Sequence, residues 1–319
     1  MFLNVSTGSL SIPFKDICNT FFNSSIVNKN YQYIITNYRL PKSCTSVLTG
    51  IGLGISGLLM QTYFRNPLAG PFVLGISSGA SLGVAILIMG GNFFGFLSYL
   101  NGFSIPIAAS LGSFLVLSIV MITARNIRNT MSILIIGLMF GSFTSAIISI
   151  LSYFSTASEL QQYIFWSFGS LSNLQWKEIY LLFAIIVVSS IGLLTIIKPL
   201  DALLLGENYA KSIGVSLKRI QSTVFIITSL LTGSITAFVG PIAFIGLAIP
   251  HITKLIFKTS NHKTLIPAVA IIGAIVMLVC DTISHISLGN KNLPINAITS
   301  LFGAPVVIWL LVSKSKKNN

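Results

Sequence analysis

The sequence predicts an all-α integral membrane protein, a polytopic helical bundle, and three observations carry this prediction. Of the 319 residues, 53% are hydrophobic and only 8% are charged, and the mean hydropathy is +0.88, whereas soluble domains have about 25% charged residues. Apolar runs of roughly 20 residues, enough to cross a bilayer as a helix, recur from Ser43 to Val312. The basic residues lie in small groups between these runs, so the net charge of +13 indicates the positive-inside rule and not nucleic-acid binding.

The apolar pattern predicts a single transmembrane domain over residues 1–319 with nine spans. In chain order these are about 44–64, 72–90, 103–124, 131–153, 177–197, 220–239, 243–257, 265–281 and 293–312. The stretch Phe93–Leu100 is too short to cross and is predicted to end the second span. Residues 154–176 contain polar residues and two tryptophans, which is typical of a loop with a short interfacial helix.

The loop charges predict the orientation of the chain. Of the 19 Lys and Arg residues, 13 lie in loops on one side, which we expect to be cytoplasmic together with the C-terminus. An odd number of spans then places residues 1–43 outside, although they contain no signal peptide or hydrophobic segment that could lead them across. Either these residues cross unaided or a first helix is missing. We favour the second interpretation, with Met1 an internal methionine of a longer native chain.

The segment Arg65–Gly83 interrupts the apolar pattern with two prolines and four glycines. Proline removes a backbone donor and glycine loosens a helix, and broken backbone at membrane depth survives only inside protein or beside a water-filled cavity. The segment is therefore predicted to form a gate or part of a pathway. Its candidate residues are Asn66, Pro67, Ser77, Ser78 and Gly79. Close helix packing is the alternative for its glycine face.

A second Gly-Pro break, Gly240–His251, echoes Gly70–Gly75 with one extra residue. The predicted topology puts the two breaks on opposite sides of the membrane, as an inverted repeat would. His251 could act as a ligand or proton relay, but a hydrogen-bonded structural histidine is favoured because no second histidine or carboxylate lies near it in sequence.

Two polar segments at the predicted membrane surfaces have open interpretations. Residues 204–216 predict a short inner helix, from about Leu203 to Ile213, closed by Gly214 as a C-cap. It either lies on lipid headgroups or docks a soluble partner. On the outer side, Arg39 and Lys42, with His285 before the last span, either anchor the chain at the interface or dock an acidic external protein.

Some functions are excluded by what the sequence lacks. Cys18, Cys44 and Cys280 do not have metal-ligand spacing, so no metal site is predicted, and a disulfide between two of them stays open. No polar catalytic cluster indicates an enzyme. No span has a charged residue near its centre, which weighs against ion-coupled transport and favours an external energy source such as an ATPase.

Ordered motifs over almost the whole chain resemble the permease subunits of iron-siderophore, haem and cobalamin ABC importers, the FecCD/BtuC-like family. The motifs are Arg39-Leu40-Pro41-Lys42, Ser56–Gln61, Asn66–Pro71 with Leu74–Ala80, Leu205-Gly206-Glu207 with Ala210, Gly240–Leu247 with Ile249-Pro250-His251, and Leu293-Pro294-Ile295 with Gly303-Ala304-Pro305.

The resemblance implies a BtuC-like type II importer permease fold, with about ten helices per subunit against nine predicted spans here, and a dimer with itself or a similar permease. Cytoplasmic ATP-binding subunits would bind the loop at residues 200–219. The matching residues there are Leu205, Gly206, Glu207 and Ala210, and the predicted coupling loop also includes Ser212 and Gly214. An external binding protein would meet Arg39, Lys42 and His285, although His285 stands where relatives often have Arg.

By this resemblance the chain is expected to import an iron-siderophore complex across the cytoplasmic membrane by alternating access, or alternatively haem or cobalamin, with no cofactor of its own. The expected path is lined by small and polar residues, Ser77, Ser78, Ser142, Thr144 and Ser145. An ion-coupled secondary carrier and a structural membrane scaffold are the alternatives from other classes. Relatives have one more helix before the segment that matches Leu3–Phe22, which agrees with the missing helix inferred from the charges.

Overall fold

The computed structural model describes residues 1–6, 10, 12–22, 28–90, 103–124, 127, 130–285 and 293–317, and every regular element among them is a helix. The predicted end of the second span, Phe93–Leu100, lies outside the described residues. The α-helices are α1 (Phe2–Ser6), α2 (Phe14–Phe22), α3 (Lys29–Ile34), α4 (Leu40–Tyr63), α5 (Ile76–Met89), α6 (Ser104–Ala124), α7 (Thr130–Phe154), α8 (Ala157–Ser167), α9 (Trp176–Leu194), α10 (Ile197–Leu204), α11 (Glu207–Ser212), α12 (Leu217–Val239), α13 (Ile245–Phe257), α14 (His262–Ser284) and α15 (Ile295–Lys317).

Each of the nine predicted apolar segments falls on a helix of the structure. Within the described residues, six helical segments are long and apolar enough to cross a membrane, while α5, α13 and the apolar part of α15 are shorter. The predicted short helix after residue 154 is confirmed as α8, which begins at a capping box between Thr156 and Glu159. The Thr156 amide and hydroxyl donate to the Glu159 carboxylate, and these bonds hold its pKa below the usual range.

The helix that contains the first predicted span starts well before residue 44, because the helical segment begins at Lys29. It continues through a π-helical turn at Ile35–Arg39 into α4, so that Lys29–Tyr63 forms one segment of 35 residues. The Asn28 side chain accepts from the Asn30 amide and caps the start. Hydropathy marks where apolar residues begin, whereas a helix begins where its first amides find acceptors.

Helix α4 lies at the centre of the bundle, with 20 of its 24 residues buried. It packs against α12, α13 and α14. A Cβ added to Gly50 would lie 2.2 Å from the Gly273 carbonyl oxygen of α14, and one added to Gly57 would lie 1.7 Å from that of Gly246 in α13. These glycines let the backbones touch, which is how helices pack tightly in a membrane.

The glycine face of the first break serves helix packing. A Cβ on Gly79 would lie 2.5 Å from the Gly112 carbonyl oxygen of α6, and one on Gly83 would lie 2.1 Å from that of Ala108. The packing interpretation of this face is therefore confirmed. In contrast, α7 leaves much of its apolar surface uncovered, including Ile135, Met139 and Phe143.

Candidate functional site

The predicted break between the first two spans is confirmed, since α4 ends at Tyr63 and α5 begins only at Ile76. Arg65 turns the chain with a left-handed φ of 47°. Asn66 holds the loop that follows: its side-chain oxygen accepts from the Leu68 amide at 2.9 Å and its carbonyl accepts from Ala69 at 3.1 Å. A short 3₁₀ helix, Pro71–Leu74, then leads into α5.

The second Gly-Pro break is also confirmed, because α12 ends at Val239 and α13 begins at Ile245. Gly240 has a φ of +87° and Phe244 a φ of 64°, so both ends of the break bend through left-handed backbone. Glycine adopts this conformation at little cost, whereas at Phe244 it is strained.

The two breaks meet in space. A Cβ added to Gly246 would lie 2.8 Å from Pro71 Cδ, and the Gln61 side chain donates to the Leu247 carbonyl at 3.0 Å. Between the breaks lies a largely apolar cavity of about 220 Å³. It is lined by Leu53, Pro71, Phe72, Ser77, Thr232, Pro241, Ile242, Ala243, Phe244, Gly246, Leu247 and Asn296. The two segments that are similar in sequence thus lie next to each other in the fold.

The predicted pathway residues do not all have the same surroundings. Ser77 lines this cavity, and Ser78 is half-buried beside Gly141 of α7. Ser142 and Ser145 are exposed on α7, whereas Thr144 is buried and its hydroxyl donates to the Gly141 carbonyl at 2.9 Å. Ser142 and Ser145 therefore share an accessible side of α7 from which Thr144 points away.

The predicted inner helix is divided in two, so the single helix from Leu203 to Ile213 is wrong. Helix α10 ends at Leu204, Gly206 takes a φ of +115°, and α11 begins at Glu207. The predicted terminator is right: Gly214 has a φ of +83° and follows the last turn of α11. Because the apolar periodicity continues on both sides of Gly206, the sequence does not predict that the helix breaks at this residue.

The two short helices α10 and α11 present a mixed surface. Ala210 is fully buried on the inner side of α11, while Leu205, Tyr209 and Ile213 are exposed. Ser212 is exposed and its hydroxyl bonds only the Tyr209 carbonyl within its own turn. Leu205 and Tyr209 line one surface pocket together with Glu207 and Asn208, so apolar and polar groups lie side by side there.

An ion pair joins this surface to the first break. Arg65 Nη2 lies 3.0 Å from Glu207 Oε1, with both side chains partly exposed. The structure therefore brings Glu207, predicted to contact a partner, into contact with the residue that begins the break.

The three predicted docking residues lie together but point inward. Arg39 is buried and its guanidinium donates to the carbonyls of Val5, Ser6 and Leu10. Lys42 Nζ forms a buried ion pair with Asp281 Oδ2 at 3.0 Å, and His285 Nε2 lies 3.7 Å from the other oxygen of Asp281.

Asp281, the last residue of the predicted span 265–281, was not predicted as a site residue from the sequence. Its carboxylate also accepts from the Asn4 side chain at 2.7 Å, and Asn4 in turn accepts from the Ser43 hydroxyl at 2.6 Å. The Asn4–Asp281 contact joins residues 277 positions apart, for which a single sequence gives no signal. Among the described residues there is no group of three or more His, Cys, Asp or Glu that could hold a metal ion, and the three cysteines are free.

Apolar helices around a buried central helix, with two broken segments meeting inside, define a polytopic helical membrane protein, and such broken helices are typical of transporters. The family model described as the FecCD transport family matches residues 1–313. The chain belongs to the FecCD transport family, whose members are transport permeases and not enzymes.

Curated relatives and solved structures agree with this assignment. The vitamin B12 import system permease proteins BtuC of Salmonella typhi and Salmonella newport are each 34% identical over 285 residues, which cover 89% of this chain and 85% of theirs. A metal-chelate type ABC transporter in an inward-facing conformation matches with a TM-score of 0.83 and 30% identity, over 98% of this chain and 94% of that one.

A more distant structure shares the fold alone: PsaBC from Streptococcus pneumoniae in complex with a Fab, with a TM-score of 0.59 and 17% identity, over 92% of this chain and 94% of that one. The family model and the relatives of 30% identity or more show that the chain is a multi-pass permease of an ABC importer in the cytoplasmic membrane. The predicted family and fold class are confirmed.

Proposed function

We propose that this permease imports a bulky metal chelate, powered by separate ATP-binding subunits that dock on α10, α11 and the turn at Gly214. The observation that carries the proposal is the exposed apolar surface of Leu205, Tyr209 and Ile213. Beside it, Glu207 is paired with Arg65 at the start of the first break. A partner that moves α11 would therefore act directly on the segment predicted to gate the path. With α10 and α11 on the cytoplasmic side, where the ATP-binding subunits are, the C-terminus is proposed to be cytoplasmic as well.

The gate in this proposal is the loop around Asn66 and Pro67, and the path runs past the exposed serines of α7. A large neutral or chelated cargo needs a wide path that binds it weakly, which small hydroxyl side chains provide. The uncovered face of α7 around Phe143 supports a second permease subunit, the same chain or a similar one, on the other side of this path.

The opposite end of α4 is proposed to meet an external binding protein through Arg39, Lys42 and His285. Each of these side chains has contacts within the chain. Acidic groups of a binding protein would have to compete with Asp281 for Lys42 and with backbone carbonyls for Arg39. Docking is therefore expected to need a rearrangement of Val5, Ser6 and Leu10, whose carbonyls hold Arg39.

Two cargoes have support. A ferric siderophore is favoured because the motifs are shared with ferric siderophore importers. Ferric siderophores are also metal chelates, the class of cargo named for the structural relative. Cobalamin is favoured by the vitamin B12 importers among the curated relatives. Haem is the third member of the same motif group.

The test is reconstitution in proteoliposomes, with and without the ATP-binding subunits and the binding protein, using cyanocobalamin, a ferric hydroxamate siderophore and haemin as separate probes. We expect ATP-dependent uptake of one probe only when all components are present. Uptake by the chain alone under an ion gradient would contradict the proposal in favour of a secondary carrier, and no transport at all would favour a scaffold.

Variants at the docking surface test the coupling. Glu207→Ala and Gly214→Val are expected to insert normally but to separate ATP hydrolysis from uptake. Gly214 has open space around it, so the valine disturbs the left-handed turn and not the packing. Normal uptake by both variants would refute the docking role.

A further inference from the structure

A chain of three polar side chains, buried at Thr62 and His262 and half-buried at Asp201, connects the last turn of α4 to α10. The Thr62 hydroxyl lies 2.8 Å from His262 Nε2, and His262 Nδ1 lies 2.6 Å from Asp201 Oδ1. The backbone amide of His262 also donates to Asp201 Oδ1 at 3.0 Å. These residues belong to α4, α14 and α10, and no feature of the proposed docking surface or gate accounts for them.

The chemistry of the three groups fixes their roles. A carboxylate only accepts hydrogen bonds, so Nδ1 of His262 must carry the proton that Asp201 receives. In the neutral ring, Nε2 is then the acceptor of a hydrogen bond that the Thr62 hydroxyl donates. Every polar atom of the ring is satisfied, so its orientation is determined from both sides.

Burial excludes a reaction at this site. The order threonine, histidine, aspartate resembles that of a nucleophile, its base and an orienting acid. However, Thr62 and His262 are each only 1% exposed, so no substrate can reach the hydroxyl. The chain of bonds can hold helices together, but it cannot attack a ligand.

Its position shows what it holds. Asp201 is on α10, which continues through Gly206 into α11, the proposed site of ATPase docking. Thr62 is the second-last residue of α4, which leads through Arg65 into the gate loop. The two regions are also joined by the packing of α10 against α4 and by the partly exposed pair Arg65–Glu207, which water and salt screen.

We propose that Thr62–His262–Asp201 transmits movement of α10 and α11 to the gate loop, with His262 as the positioning residue at its centre. This inference rests on the proposed function, because it takes α11 as the site where ATP-driven movement enters. A partner that displaces α10 pulls on Asp201, the buried ring cannot rotate without losing a bond, and the displacement passes to Thr62.

The experiment compares Thr62→Val, which keeps the shape and removes the hydroxyl, with Thr62→Ser, which keeps the hydroxyl. The complex with the ATP-binding subunits is placed in nanodiscs, with Cys18, Cys44 and Cys280 replaced by alanine. A single reporter thiol is introduced by Leu68→Cys in the gate loop or by Asn208→Cys on α11. Its rate of modification by a water-soluble maleimide is measured with and without MgATP and vanadate.

In the parent protein we expect MgATP and vanadate to change the modification rate at both reporter positions. In Thr62→Val we expect the full change at Asn208→Cys and a change about tenfold smaller at Leu68→Cys, for one lost buried hydrogen bond. Thr62→Ser restores the response at Leu68→Cys. A purely structural bond would change the melting temperature without separating the two reporters.

The outcomes separate the two hypotheses. If Leu68→Cys responds equally in Thr62→Val and the parent protein, the transmission role is overturned while the proposed function stands. If neither reporter responds in the parent protein, ATPase docking at α11 is overturned and the inference falls with it. Asp201→Asn, which keeps an acceptor oxygen for Nδ1, is expected to retain the response at Leu68→Cys, and Asp201→Ala to lose it.

Discussion

Helices α4 and α14 run antiparallel, and the two ends of this pair are held in different ways. At one end, Lys42 and Asp281 form a buried ion pair, with Asn4 also bonded to the carboxylate. At the other end, the neutral contact between Thr62 and His262 leads to Asp201, which is 37% exposed. A buried charge that loses its partner is far more costly than a neutral hydroxyl that does so. The Lys42 end is therefore held more firmly than the Thr62 end, where a rearrangement costs less free energy.

The largest effect is expected from Asp281→Leu, which removes the buried ion pair with Lys42. It leaves the Lys42 ammonium buried without a counter-charge and should lower the stability by about 3–5 kcal/mol. The measurement is the thermal unfolding midpoint in detergent. The double variant Lys42→Met/Asp281→Leu should recover most of the loss, and a double variant as unstable as the single one would show that the pair is not the cause.

A smaller loss is expected where the two helices cross. Gly50→Ala places a methyl group 2.2 Å from the Gly273 carbonyl oxygen, and neither backbone can yield without separating the helices, so we expect a cost of about 1–3 kcal/mol. Gly192→Ala is the matched control, since its nearest neighbour would be a side chain at 3.5 Å. Equal melting temperatures for the two variants would rule out a tight crossing.

Thr62→Val should have a moderate effect on stability, about 1 kcal/mol, because it removes one buried hydrogen bond between helices. Thr62→Ser should melt close to the parent protein. A loss in Thr62→Val as large as that in Asp281→Leu would remove the distinction between the two ends.

The smallest effect is expected from Arg65→Ala, since the pair with Glu207 is partly exposed and worth about 0.2–1 kcal/mol at most. The same substitution should have no measurable effect on melting at high salt, where the pair is screened. A salt-independent loss would indicate that Arg65 acts through its left-handed backbone and not through its charge.

Local features of this fold could be predicted from the sequence, and distant contacts could not. The two Gly-Pro breaks, α8 and the terminator at Gly214 depend on residues within one or two turns, and the structure contains all of them. The start at Lys29 was missed because it depends on a cap at Asn28 and not on hydropathy.

The polar contacts at both ends of α4 join residues about 200 or more positions apart. A lone Asp at a span end and a lone His after Asn261 have no visible partner until the chain is folded. For the same reason, Arg39 and Lys42 were predicted as surface groups although the fold buries them.

Backbone contacts hold the central helix at two points, Gly50 against Gly273 of α14 and Gly57 against Gly246 of α13. The two points lie seven residues apart, about 10 Å along the axis at 1.5 Å per residue. A helix held at two points resists tilting about either of them. The stretch of α4 that extends past the second contact towards the gate loop is therefore short, from Leu58 to Tyr63.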